Sequence, residues 1–203
     1  MIMHSPFPMR HTYLWKSADS NSGRRGTMFN LTTFTVVHTV LSVVGIIAGL
    51  VVVGGLVAGA RLDGWTGVFL VTTVLTNVTG FGFPFVRLLP SHIIGIVSLV
   101  ILPVVIFARY SKRLGGSWRG VYVVGTVLAL YFNCFVLVVQ LFSRIPALIA
   151  AAPTQKEAPF VVTQLLVLVM FVILGRAALK RFYPDTTPSL RDLAATARGY
   201  SKP

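Results

Sequence analysis

The sequence predicts an all-α membrane protein, a bundle of five transmembrane helices, on three observations. Of the 203 residues, 55% are apolar and only 11% charged, where an ordinary soluble domain carries about 25% charged residues. The apolar content is gathered into five runs that meet or approach the roughly 20 residues a helix needs to cross a bilayer. The 18 Lys and Arg against 5 Asp and Glu give a formal net charge of +13. These cations cluster between the runs, as in loops facing anionic lipid and the cytoplasm. A water-soluble globule, a disordered chain and a disulfide scaffold are excluded. Nucleic acid is not an expected partner, because the basic residues form short clusters rather than one continuous patch.

The elements follow in order. Residues 1–27 contain no long apolar run and read as a poorly ordered N-terminal extension; residues 28–182 form the five-helix transmembrane domain, and 183–203 a cytoplasmic tail. The first span is expected from Thr35 to Ala60, the second from Thr66 to Val86 and the third from His92 to Ala108. The fourth runs from Val121 to Phe142 and the fifth from Phe160 to Ala178. Continuous apolar runs without alternation exclude strands of a membrane barrel. Pro103 removes one backbone donor from the third span and predicts a kink there. Between the spans, Asp63-Gly64, Gly115-Gly116 and the prolines Pro146, Pro153 and Pro159 mark the connections, Ser143 to Pro159 being the longest loop. Ala58-Gly59-Ala60 resembles a signal-peptide cleavage site, but the run before it is longer than the roughly 7–15 apolar residues of a signal core. That run is therefore expected to stay as a span.

Orientation follows from the cations near the span ends. One side collects Arg61, Arg109, Lys112, Arg113, Arg119, Arg176, Lys180 and Arg181, eight in all; the other collects Arg87, Arg144 and Lys156, three. Arg10, Lys16, Arg24 and Arg25 would add four to the poorer side, but they lie in the extension before Met28. The count predicts an N-terminus outside and a C-terminus in the cytoplasm of a bacterial inner membrane. Trp65, Tyr110, Trp118 and Tyr122 fall at the expected cytoplasmic interface, as an aromatic belt would.

Chemistry is constrained mainly by absence. No Asp or Glu lies in any of the five spans, which disfavours proton-coupled transport and metal-ion transport, since both use intramembrane carboxylates. Cys134, the single cysteine, reads as a small apolar residue and offers neither a disulfide nor a thiolate cluster. What remains polar within the spans is His38, Asn77, Thr79, His92, Asn133 and Gln140. The expected topology brings these toward the outer leaflet, with Asn133 near mid-membrane. His38, Gly45 and Gly49 share a helical stripe that continues through Gly55 and Gly59. The spacings Gly45-xxx-Gly49 and Gly55-xxx-Gly59 let another helix approach closely. His92 and Gly95 share a side of the third span, while Thr73, Asn77, Gly80 and Pro84 form a stripe on the second.

Two readings of these residues compete. As structure, amides hydrogen-bond neighbouring helices and histidines sit wet at an interface. As a site, His38 and His92 are candidate ligands for haem b or partners for a quinone, because imidazole is a standard axial ligand. Asn77, Asn133 and Gln140 would then line the same space. Phe81-Gly82-Phe83-Pro84-Phe85 would supply one wall of a lipophilic pocket.

Tyr131-Phe132-Asn133-Cys134-Phe135 with Gln140, then Arg144-Ile145-Pro146-Ala147-Leu148 and Ala152-Pro153-Thr154-Gln155, form a recognisable pattern with Pro90-Ser91-His92-Ile93-Ile94-Gly95 upstream. Together they resemble a family of small uncharacterised bacterial multi-pass inner-membrane proteins, over about residues 28–182. The resemblance implies membrane location and no mechanism. The leading expectation is therefore a non-enzymatic subunit or accessory protein without a resident cofactor. Its partners would be membrane lipids and, through its glycine-rich helix faces, another protein or a second copy. The haem b or quinone reading is the alternative, and a small permease the third.

Overall fold

The computed structural model of the chain describes residues 12–82 and 90–183, and the side chains within 32–82 and 93–183. Among the described residues the regular structure is helical, with no strand. The helices are α1 (Thr12–Ala58), α2 (Asp63–Gly80), α3 (Pro90–Ile106), α4 (Trp118–Arg144), α5 (Pro146–Ala151) and α6 (Ala158–Arg181). A single π-helical turn, Phe107–Ser111, follows α3. The expected tail lies almost wholly outside the described residues, as do residues 83–89 at the end of the expected second span.

Among the described residues four helices are long and apolar enough to cross a membrane: Thr32–Ala58 within α1, Ile93–Ser111, Trp118–Arg144 and Ala158–Arg181. They mark a multi-pass membrane protein. The expected second span is the exception, because α2 is 18 residues long and carries Asp63, Asn77 and five threonines. The helix hides part of that polarity itself. Thr66, Thr72 and Thr79 each donate their hydroxyl to the carbonyl one turn back, at 2.7 Å, so those three hydroxyl protons are satisfied within the helix; the buried Thr76 hydroxyl has no partner.

The chain divides into two compact units, Met1–Val40 and Leu41–Pro203. In the first, the described side chains are those of 32–40: Val36, Val37 and Val40 are exposed, His38 is half-buried, and Thr39 donates to the Thr35 carbonyl at 2.8 Å. The second unit holds the core. Its central element is α4, which buries nine residues from Tyr122 to Phe142 and packs most extensively on α6 and α3. By contrast α6 buries only Gln164, Phe171 and Ala178, and its remaining apolar surface is free to face lipid.

Glycines set the close approaches, at Gly49 as the Gly45-xxx-Gly49 spacing predicts and at Gly125 without such a spacing. A Cβ on Gly49 would lie 2.5 Å from Leu130 and 2.8 Å from the Phe69 ring, and one on Gly125 would lie 2.4 Å from Val105. Real carbon contacts do not come that close, so α1 sits on α2 and α4, and α3 on α4, only because these side chains are absent. The Gly45–Gly49–Gly55 stripe is thus consumed inside the chain. Ala58-Gly59-Ala60 ends α1 in a Schellman motif: the Ala60 amide donates to the Gly55 carbonyl at 2.8 Å and Gly59 to Leu56 at 3.2 Å. Gly59 has a φ of +79°, the left-handed conformation that this motif requires and that glycine adopts most cheaply.

Two other features were not expected, a helix in the longest loop and a π turn after α3. The longest loop contains a helix, α5, with Pro146 in its first turn, where the missing proline amide costs no hydrogen bond. The third helix continues through Pro103 and then widens, Lys112 donating to the Phe107 carbonyl at 3.0 Å across the π turn.

Candidate functional site

Arg109 lies in the π turn and continues the buried face of α3: Ser98, Leu102, Val105 and Arg109 recur at spacings of four, three and four. Its side chain is 1% exposed. Its Nη1 donates to the Tyr122 hydroxyl at 2.9 Å, and its Nη2 donates to Asp63 Oδ1. The guanidinium carbon also lies 5.2 Å from the Tyr122 ring centre, a cation–π distance. Nε has no hydrogen-bond partner. The turn out of this segment is strained: Arg113 and Leu114 have φ of 48° and 62°, each costing about 1–3 kcal/mol. Leu114 is 2% exposed, so burial holds the backbone there.

The partners converge from separate elements. Asp63 opens α2, where a carboxylate complements the helix dipole. It accepts from Arg61 Nε at 2.8 Å as well as from Arg109. These cations, Arg61 first, hold its carboxyl below the ordinary carboxylate range despite some opposing desolvation. Thr66 lies 3.4 Å from the Tyr122 hydroxyl. A turn earlier on α4, Arg119 donates to the Leu179 carbonyl at 3.0 Å and to the Phe182 carbonyl. It thereby satisfies the end of α6. Its guanidinium stacks 4.4 Å from the Tyr183 ring centre. Charge thus ties the ends of α2, α3, α4 and α6 together.

The residues expected to form a site are placed as follows. Asn77 donates to the Thr73 carbonyl at 2.8 Å, and Asn133 donates to the Thr73 hydroxyl at 3.3 Å. Thr73 is fully buried; the Asn133 bond to it joins α4 to α2, whereas the Asn77 bond closes one turn of α2 itself. A Cβ on Gly95 would lie 3.7 Å from Asn77 Oδ1 and 3.5 Å from the Phe81 ring, so the glycine side of α3 faces α2. Gln140 stands apart: it is exposed and accepts from Arg144 Nε at 3.2 Å, one turn along its own helix. His38 belongs to the first unit, and the His92 side chain lies outside the described residues. Pro84, in the expected stripe, lies outside them as well. Cys134 is half-buried and packs on the core. Among the described residues no group of three or more His, Cys, Asp and Glu gathers as metal ligands.

One aromatic is corrected. Tyr122, expected in the interfacial belt, is 1% exposed because its hydroxyl is the acceptor for Arg109. Trp65 and Tyr110 are exposed, as belt residues would be. The Asp63–Arg109–Tyr122 cluster was missed because loop cations are normally solvated. Its signal was available, since Arg109 abuts an apolar run and Asp63 falls at the same membrane end. A second buried amide, Gln164, also went unread; it donates to the Phe135 carbonyl at 3.2 Å, joining α6 to α4, and its Oε1 has no partner. No family model, no curated protein and no solved structure matches this chain.

Proposed function

We propose that this protein is a non-enzymatic subunit or accessory protein of a bacterial inner membrane, crossing it five times. One observation carries the reading: the hydrogen bonds that cross between elements are made by polar side chains acting as helix ties. Asn133 with Thr73, Gln164 with the Phe135 carbonyl, Arg109 with Asp63 and Tyr122, and Arg119 with the end of α6 are such ties.

In this reading α2 is the fifth crossing. Its 18 residues span about 27 Å, close to the roughly 30 Å of a hydrocarbon core. It also runs the length of α3, from Arg109 beside Asp63 to Gly95 beside Asn77 and Phe81. The eight-to-three cation count places the C-terminus in the cytoplasm and the N-terminus outside. A reporter fused after Pro203 is expected to read as cytoplasmic, and one inserted near Lys156 as external; the reverse pattern overturns the orientation. The family resemblance supports the same location.

The alternative reading is haem b or quinone binding through His38 and His92, imidazole being a standard axial ligand. The visible spectrum of the detergent-purified chain decides between the two. The accessory reading expects no Soret band. A band that His38→Leu or His92→Leu removes would replace it with the cofactor reading.

A further inference from the structure

A shallow apolar groove of about 430 Å³ runs between α3 and α4. Val100 and Val104 form one wall and Val121, Val124 and Leu128 the other, with Gly120 at one end. Its floor is the tight contact of Gly125 with Val105. From Gly120 to Leu128 it extends about 12 Å at 1.5 Å per residue, most of the roughly 15 Å depth of one leaflet's hydrocarbon.

The Gly120 end is not apolar. Phe107 continues the Val100–Val104 stripe and Trp118 continues the Val121–Leu128 stripe, at helical spacings. Their rings meet edge to face at 5.3 Å. Lys112 places its ammonium 5.5 Å from the Phe107 ring centre and 5.7 Å from that of Trp118. Exposed Arg113 adjoins it. The order along the bundle is hydrocarbon-lined groove, aromatic collar, then cation. That matches an amphiphile with an apolar tail and an anionic head.

We propose that this groove seats one acyl chain of an anionic phospholipid, with the lipid phosphate at Lys112 and Arg113. Charge complementarity selects this occupant: an anionic phospholipid brings both an apolar chain for the groove and a net negative head for Lys112, whereas a zwitterionic lipid would bring its own cation. The neighbouring cations are already engaged. Arg109 is committed to Asp63 and Tyr122, and Arg119 to the α6 carbonyls. This inference requires only that α3 and α4 lie in a membrane, so its failure leaves the accessory reading standing.

The test is native mass spectrometry of the delipidated full chain titrated with phosphatidylglycerol or phosphatidylcholine. The expectation is one retained phosphatidylglycerol per chain and weaker retention of phosphatidylcholine. Lys112→Gln should weaken phosphatidylglycerol about fivefold, the effect of one surface cation on an anionic membrane, and leave phosphatidylcholine unchanged. Val124→Trp should fill the groove and abolish retention; Val124 is 49% exposed, so the larger ring need not disturb the core. Gly120→Leu, where a Cβ meets nothing within 4 Å, is the second filling variant should the first fail to fold. Leu166→Trp on α6, 66% exposed, should change nothing. Equal retention of the two lipids, retention surviving both filling variants, an equal loss in Leu166→Trp, or a dimer in place of the lipid adduct would each overturn the proposal.

Discussion

At one end of the second unit the helices are joined by charge, through Asp63, Arg109 and Arg119. Ten residues further along α2, about 15 Å along its axis, they are joined by Thr73 and Asn133, neither of them charged. If α2 crosses the membrane as proposed, the difference follows from depth. At the interface an ion can keep one face in water: Asp63 is 65% exposed while its partner Arg109 is 1% exposed. Within hydrocarbon an unpaired ion is far more costly than an amide, and amides and hydroxyls serve there instead. Partner choice therefore tracks the local dielectric, and the consequences of breaking each tie should differ accordingly.

The largest difference is expected from Asp63→Asn against Asn133→Leu, compared by thermal unfolding in detergent. Asp63→Asn leaves a guanidinium inside the unit without its counterion. The penalty should fall between that of a surface pair, about 1 kcal/mol or less, and that of a fully buried one, about 3–5 kcal/mol. Arg109→Met removes the charge itself and should cost less, and the double variant should recover part of the Asp63→Asn loss. Asn133→Leu should cost only about 0.6–2 kcal/mol, the range for an interhelical polar contact in a membrane. A larger loss in Asn133→Leu than in Asp63→Asn would reverse the depth argument.

The charged end was also the harder one to read. The glycine face of α1 was legible, because Gly45-xxx-Gly49 announces close packing by spacing alone and the structure uses it so. Of the polar residues, Asn77 and Asn133 bond different atoms of Thr73, while Gln140 turns to Arg144 on its own helix. Arg109 was legible by spacing, since it follows Ser98, Leu102 and Val105 on one helical face. What hid it is that a cation at a span end is normally solvated, and that its partners Asp63 and Tyr122 lie on other helices. An apolar count extends the second span through Phe83 to Val86; the helix stops at Gly80, with Phe81 and Gly82 in a turn, and 83–86 lie outside the described residues.

The smallest effect concerns pH, and it isolates the exposed half of the charged tie. The Asp63 carboxyl is held below its ordinary range, first by its hydrogen bond from Arg61 and further by Arg109. A carboxylate whose folded pKa is depressed adds stability above its unfolded pKa, about 3.9, and loses it as pH falls through the folded value. Stability in detergent should therefore be flat from neutrality to about pH 5 on Asp63's account and fall below about pH 4. Glu157, lowered mainly by the Thr154 hydroxyl, titrates in the same direction, so the decisive quantity is the difference between the parent chain and Asp63→Asn. That difference should shrink as the solution is acidified and, because Asp63 is mostly exposed, should also narrow at about 1 M salt, where screening acts within about 3 Å. A difference that persists unchanged at pH 3 would mean that Asp63 acts through its shape and not its charge.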